Sequence, residues 1–204
     1  MTGNDLVHVV DDDVDVRKSL GFLLATADFA VRLHESATAF LATATGDLNG
    51  CIVTDVRMPG IDGIEFLRQL RARGQAIPVI VMTGHADVAL AVQAMKEGAS
   101  DFIEKPFDDQ VLIDAIRSAL DNRNQAGATH PQSAAIHGRM AALSERERQV
   151  LDGLVAGLPN KTIAYDLGIS PRTVEIHRAN VMSKMGADSL SHLVRMALIV
   201  ESKP

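Results

Sequence analysis

Six polar side chains in the first half of the chain have types and spacing that could do chemistry. They are the run Asp11, Asp12 and Asp13, then Asp55, Thr83 and Lys105. Close carboxylates raise one another's pKa unless a cation joins them. A hard divalent ion with oxygen ligands and room for water, Mg²⁺, answers that need. Lys105 adds an ammonium and Thr83 a hydroxyl, both suited to the oxygens of an incoming phosphoryl group. Such a set could transfer a phosphoryl group, with Asp55 as the attacking carboxylate and the acidic run nearer the metal. Singly, each has a plainer account: an acidic run caps a helix, a lysine lies in solvent, a threonine ends a strand.

The elements that must position these residues explain why they converge. Apolar runs at Leu6–Val10, Ala30–His34, Cys51–Thr54, Val79–Met82 and Phe102–Ile103 predict strands. Between them, helical spacing covers Val16–Ala27, Ala37–Thr43, Gly63–Arg73, Val88–Glu97 and Asp109–Asn122. This alternation predicts an α/β domain, a doubly wound five-stranded parallel sheet. The runs LVHVV and VIVM are nearly all apolar, as strands covered on both faces are. Asp11, Asp12, Asp55, Thr83 and Lys105 then lie at carboxyl ends of strands, the edge where such sheets bind ligands.

Charge divides the chain. Up to Asn124 there are 11 basic and 19 acidic residues, a balance of −8; from Gln125 on there are 9 and 7, a balance of +2. The two halves are therefore expected to do different jobs. With 47% hydrophobic residues the chain can build cores, no apolar run is long enough for a membrane span, and no export signal is read at the N-terminus. Cys51 is the only cysteine, which excludes an internal disulfide and fits a cytoplasmic protein.

Residues 123–138 lack a sustained apolar period and are expected to form a linker between a domain at 1–122 and one at 139–204. The second is predicted to be small and all-α. Ser144 with Glu147 forms a capping-box pattern before Ser144–Ala156, Lys161–Leu167 is a short helix, and Ser170-Pro171 opens a longer one to Met185. Two helices joined by the Gly168–Ser170 turn fit a helix-turn-helix. On the longer helix Val174, His177, Arg178 and Val181 share one side, and Arg172, Thr173, Ile176, Ala179 and Asn180 another. Ile176 and Ala179, apolar on an otherwise polar face, suit thymine methyl contacts in a major groove. A surplus of +2 is small for DNA, which predicts binding by two copies on paired half-sites.

The segments VVDDDVDVR, TDVRMPGIDG, VIVMTGHAD and GASDFIEKPF closely resemble the receiver domain of two-component response regulators, and LSERERQVL with NKTIAYDLGISPRTVEIHRANVMSKM resembles the LuxR-type helix-turn-helix. Together they resemble the NarL/FixJ response-regulator family, and within it the nitrogen-fixation members. The resemblance implies a flavodoxin-like receiver phosphorylated on Asp55 by a sensor histidine kinase, here a haem-based oxygen sensor. It implies Mg²⁺ held by Asp12, Asp55 and the backbone carbonyl of Arg57, with Asp11 in support. Thr83 and Phe102 become switch residues, Thr83 and Lys105 stabilise the phosphoryl group, and the Lys105–Pro106 bond is cis. Arg57 and His85 occupy positions that tune loss of the phosphoryl group to water. No catalysis beyond self-phosphotransfer and self-dephosphorylation is expected. In the second half the resemblance implies phosphate contacts from Lys161, Thr162, Arg172, Thr173 and Lys184, and base-facing positions at Glu175, Ile176, Arg178 and Ala179. The remaining partners are promoter DNA, RNA polymerase and, after phosphorylation, a second copy of the chain. Two other readings remain open: a Mg²⁺-dependent phosphohydrolase using Asp11 and Asp13, and a ligand-sensing regulator with the same helix-turn-helix.

Overall fold

The computed structural model describes residues 5–44, 46, 48–84, 88–124 and 132–201. In chain order they form β1 (Leu6–Val10), α1 (Val14–Thr26), β2 (Ala30–His34), α2 (Ala37–Thr43), β3 (Cys51–Asp55), α3 (Gly63–Ala72), β4 (Val79–Thr83), α4 (Val88–Lys96), β5 (Asp101–Glu104) and α5 (Asp109–Asn124). There follow α6 (Gln132–Ala141), α7 (Glu145–Val155), α8 (Asn160–Leu167), α9 (Pro171–Met185) and α10 (Leu190–Glu201). The chain divides into two compact units, Met1–Ala86 with Glu97–Gly127, and Asp87–Lys96 with Ala128–Pro204. Among the described residues no helix is long and apolar enough to cross a membrane.

In the first unit the strands make one parallel sheet in the order β2-β1-β3-β4-β5. The order reverses between β1 and β3, where the crevice of a doubly wound sheet opens. Register pairs Val10 with Thr54 and Asp55 with Met82, so the central strands end side by side. One face carries Val7, Val9, Cys51, Val53, Ile80 and Met82 against Leu20 and Leu24 of α1 and Leu112, Ile113 and Ile116 of α5. On the other face, two-residue alternation presents His8, whose ring meets Phe40 of α2, and Phe40 meets Phe66 of α3. Helices thus cover both faces, as the apolar runs require.

The strands reach farther than their apolar runs. β3 and β4 extend through Asp55 and Thr83, and β5 spans Asp101–Glu104. The backbone ladder causes this: Val56 N donates to Met82 O at 2.8 Å and Lys105 N to Thr83 O at 2.7 Å. Pairing uses main-chain groups and continues after the side chains turn polar.

In the second unit Val150, Leu151, Leu154, Ile163, Val174, Val181, Met185 and Leu193 form the core. Ser144 caps α7, with its hydroxyl on the Glu147 amide and the Glu147 carboxylate on its own, completing the capping box. The expected linker needs correction at both ends. Residues 123–124 belong to α5, and residues 132–138 lie in α6. Residues 125–131 lie outside the described residues. Helix α6 needs only Ile136 and Met140, one turn apart, to pack on the core, and the alanines beside them favour helix.

Candidate functional site

The strand-end residues meet as the topology requires. Asp11 follows β1 and is 2% exposed, and Asp55 ends β3 and is 9% exposed. Lys105, just past β5, joins them: its Nζ lies 2.6 Å from Asp55 Oδ1 and 3.3 Å from Asp11 Oδ2. The second Asp55 oxygen, Oδ2, accepts the Arg57 amide at 2.6 Å. Thr83 is buried at the end of the neighbouring strand β4. The Lys105–Pro106 peptide is cis, as expected.

Burial, the largest influence, raises the Asp11 carboxyl above its ordinary value, and the Asp55 charge adds to this. The Asp13 amide and Lys105 pull the other way. Burial disfavours the Lys105 ammonium, but hydrogen bonding and charge from Asp55, then Asp11, outweigh it and raise its pKa. The lysine therefore stays charged between two acids, the arrangement expected of a site that receives further negative charge.

The acidic run separates into three roles. Asp11 faces the lysine, and its Oδ1 accepts the Asp13 amide at 2.9 Å. Asp12 is exposed. Asp13 is the N-cap of α1, its Oδ1 accepting the amides of Asp15 at 2.8 Å and Val16 at 3.1 Å. This helix start takes Asp13 out of the pair Asp11 and Asp13 that a phosphohydrolase was to use. Among the described residues no three acid, histidine or cysteine side chains gather as a metal cluster. Mg²⁺ needs fewer, being held by one or two carboxylates while keeping several waters. Asp11 and Asp55, two carboxylates already sharing a cation, fit that ion.

Arg57 is exposed, and Phe102 is half-buried on β5, in register with Val81. His85 lies outside the described residues. Two contributors were not read from the sequence. Arg17 Nη1 donates to the Asp11 carbonyl at 2.6 Å, fixing the strand end from the first turn of α1. Gly63 opens α3 so close to β3 that a methyl group there would collide with the Asp55 carbonyl oxygen. The cation near the acidic run was a usable signal for Arg17; the glycine in a turn-rich segment gave none.

The helix-turn-helix also forms. Gly168 ends α8 in the left-handed region, and Ser170 caps α9 through the Thr173 amide at 3.1 Å, with Pro171 at the first position. Val174, Val181 and Met185 are fully buried, while Arg172, Glu175, Ile176 and Ala179 are exposed and Arg178 is half-buried. Ile176, 56% exposed, is the large apolar residue of this outer face. Lys161 and Thr162 are exposed in the first turn of α8. Two expected phosphate contacts have protein partners: the Thr173 hydroxyl lies 2.8 Å from Ser170 Oγ, and Lys184 pairs with Glu147.

Comparison with known proteins also divides the chain in two. Residues 7–117 match the response regulator receiver domain, and residues 141–197 match the bacterial regulatory proteins of the luxR family. The chain is 59% identical to the transcriptional regulatory protein FixJ of Azorhizobium caulinodans, over 97% of its own length and 94% of that protein's. With FixJ of Rhizobium meliloti it shares 60% identity, each covered to 94%. Among solved structures it resembles full-length FixJ from B. japonicum with a TM-score of 0.58 at 49% identity, both chains covered completely.

Proposed function

Because the chain belongs to the response regulators that join a receiver to a LuxR-type DNA-binding domain, we propose that phosphorylation of Asp55 drives it to bind promoter DNA and activate nitrogen-fixation genes. The observation that carries the proposal is Lys105, placed between the carboxylates of Asp11 and Asp55. The phosphoryl donor is a sensor histidine kinase, and its oxygen sensing would come from haem. Asp55 Oδ1 or Oδ2 attacks the phosphorus, the P–N bond to the kinase imidazole breaks, and an acyl phosphate forms on Asp55. Asp11, Asp12, Asp55 and the Arg57 carbonyl would hold Mg²⁺, which when bound neutralises charge on the transferring group. Lys105 neutralises the same charge from the protein side.

The new charge on Asp55, about −1.5 to −2, biases the neighbouring elements. Thr83 donates its hydroxyl to the phosphoryl oxygens, and Phe102 turns inward behind it. Arg57 and His85 set how readily water reaches the phosphorus. In the second domain, Lys161, Thr162, Arg172 and Thr173 contact phosphates. Glu175, Ile176, Arg178 and Ala179 face the bases. Phosphorylated copies pair, and the bound dimer recruits RNA polymerase in the cytoplasm.

Acetyl-phosphate labelling of the full chain and of Asp55→Asn tests this, with protein mass and promoter binding read together. One phosphoryl group on the wild type, none on the variant, and tighter binding only of the labelled protein are expected. Labelling that persists in Asp55→Asn would move the site elsewhere.

A further inference from the structure

Helix α9 ends on two contacts supplied by other helices. Lys184 Nζ donates to Glu147 Oε2 of α7 at 2.7 Å, and Arg139 Nη1 of α6 donates to the Met185 carbonyl at 2.9 Å. Glu147 is 5% exposed, and the same Oε2 accepts the Ser144 amide at 2.7 Å. The Lys184 hydrogen bond, followed by the Ser144 amide, holds this acid down to about 2. At the helix end Gly186 is left-handed, its amide bonding Ser183 O and the Ala187 amide bonding Met182 O. Those bonds leave the Met185 carbonyl for Arg139, whose guanidinium lies 3.1 Å from where a Cβ on Gly186 would stand.

We propose that Arg139 and the Glu147–Lys184 pair are positioning residues for DNA recognition, fixing the direction and roll of α9, so that Lys184 serves the domain and not a DNA phosphate. This rests on the reading of α9 as the helix that enters the groove. An apolar stripe of Val174, Val181 and Met185 lets a helix roll slightly while staying buried. Hydrogen bonds to base edges do not tolerate that roll, because their strength falls steeply with angle. Two charged contacts at the far end, one from each of two neighbouring helices, stop it. Lys184 is 43% exposed, so its pair adds little stability and its effect is chiefly geometric.

The test uses the full chain, phosphorylated with acetyl phosphate, and a duplex selected from a random pool by the wild type. Affinity is measured across a salt series, with circular dichroism to establish that each variant is folded. Arg139→Ala, Glu147→Gln and Lys184→Gln are expected to lower affinity about tenfold each, with the salt slope unchanged. Glu147→Gln keeps the capping box. Arg139→Lys restores most of the binding, and the Glu147→Gln, Lys184→Gln double variant binds no worse than either single one. A slope reduced in Lys184→Gln, or affinity raised in Glu147→Gln by release of the lysine, overturns the proposal. Arg172→Ala separates the two readings, since a phosphate contact lowers the slope. If it does so while the clamp variants bind normally, the clamp alone falls. If Arg172→Ala and the clamp variants all bind as the wild type, the reading of α9 falls and the clamp's role with it.

Discussion

Lys105 is tied to Asp55 by a 2.6 Å ion pair and to Asp11 by a longer one of 3.3 Å, so the acid proposed to accept the phosphoryl group is the lysine's nearer partner. Removing the cation leaves two acids facing each other. A transferring phosphoryl group would then meet repulsion where it now meets an ammonium. Lys105→Ala is expected to slow acetyl-phosphate labelling of Asp55 about hundredfold, the scale on which one preorganised electrostatic partner acts. The rate of mass gain measures this. A rate within twofold or so of wild type would show that the lysine is not part of transfer.

Much of that site was legible because each apolar run ends at a polar residue, and parallel strands deliver their ends to one edge. What could not be read was division of labour within the run. Asp11, Asp12 and Asp13 look alike in sequence, yet one faces Lys105, one is exposed and one caps α1. A capping acid and a metal-binding acid share the same local pattern, and only the position of the first helical residue, Val14, separates them. Long-range pairs were hidden for a different reason. Glu147 lies 37 residues before Lys184, so no periodicity links them, and the lysine was expected to meet a DNA phosphate. Helix α6 was missed because two apolar side chains were too few to show a period.

A second pair predicts the response to acid. His8 is 6% exposed, and its Nδ1 lies 3.1 Å from His34 Nε2, with the Phe40 ring edge-on to both. Burial first, then the charges of His34 and Arg32, lower His8 to about 4, although the Asn49 carbonyl accepts a hydrogen bond from its ring. The contact between the two ring nitrogens needs an acceptor on one of them, so at least one ring must be neutral. His34 is lowered in the same way, by burial and Arg32. The unfolded chain takes up protons from its ordinary 6.5 downward, while the folded His8 resists until about 4. Stability is therefore complete above 6.5 and is lost as pH falls through that window, by on the order of 3 kcal/mol for His8. Urea unfolding across the window should show His8→Phe losing less than the wild type. Equal losses in the two proteins would remove the histidine from the account.

The DNA-binding half can offer little free positive charge. It has nine basic residues, of which Arg139, Arg146, Arg148 and Lys184 bond to Met185 O, Leu167 O, Met140 O and Glu147. The three arginines each take a carbonyl at the end of a neighbouring helix, where a cation offsets the helix dipole. On the helix-turn-helix this leaves Lys161, Arg172 and Arg178. Two copies then neutralise about six phosphates, and log affinity against log salt should have a slope of about −5. Lys161→Ala, which changes one cation in each copy, should bring that slope toward zero by about 2, without changing which duplex is preferred. A slope of about −2 to −3 in the phosphorylated wild type would mean that a single copy binds. A slope beyond about −7 would mean that the helix-capping arginines reach DNA as well, and that the contacts holding the helices together open on binding.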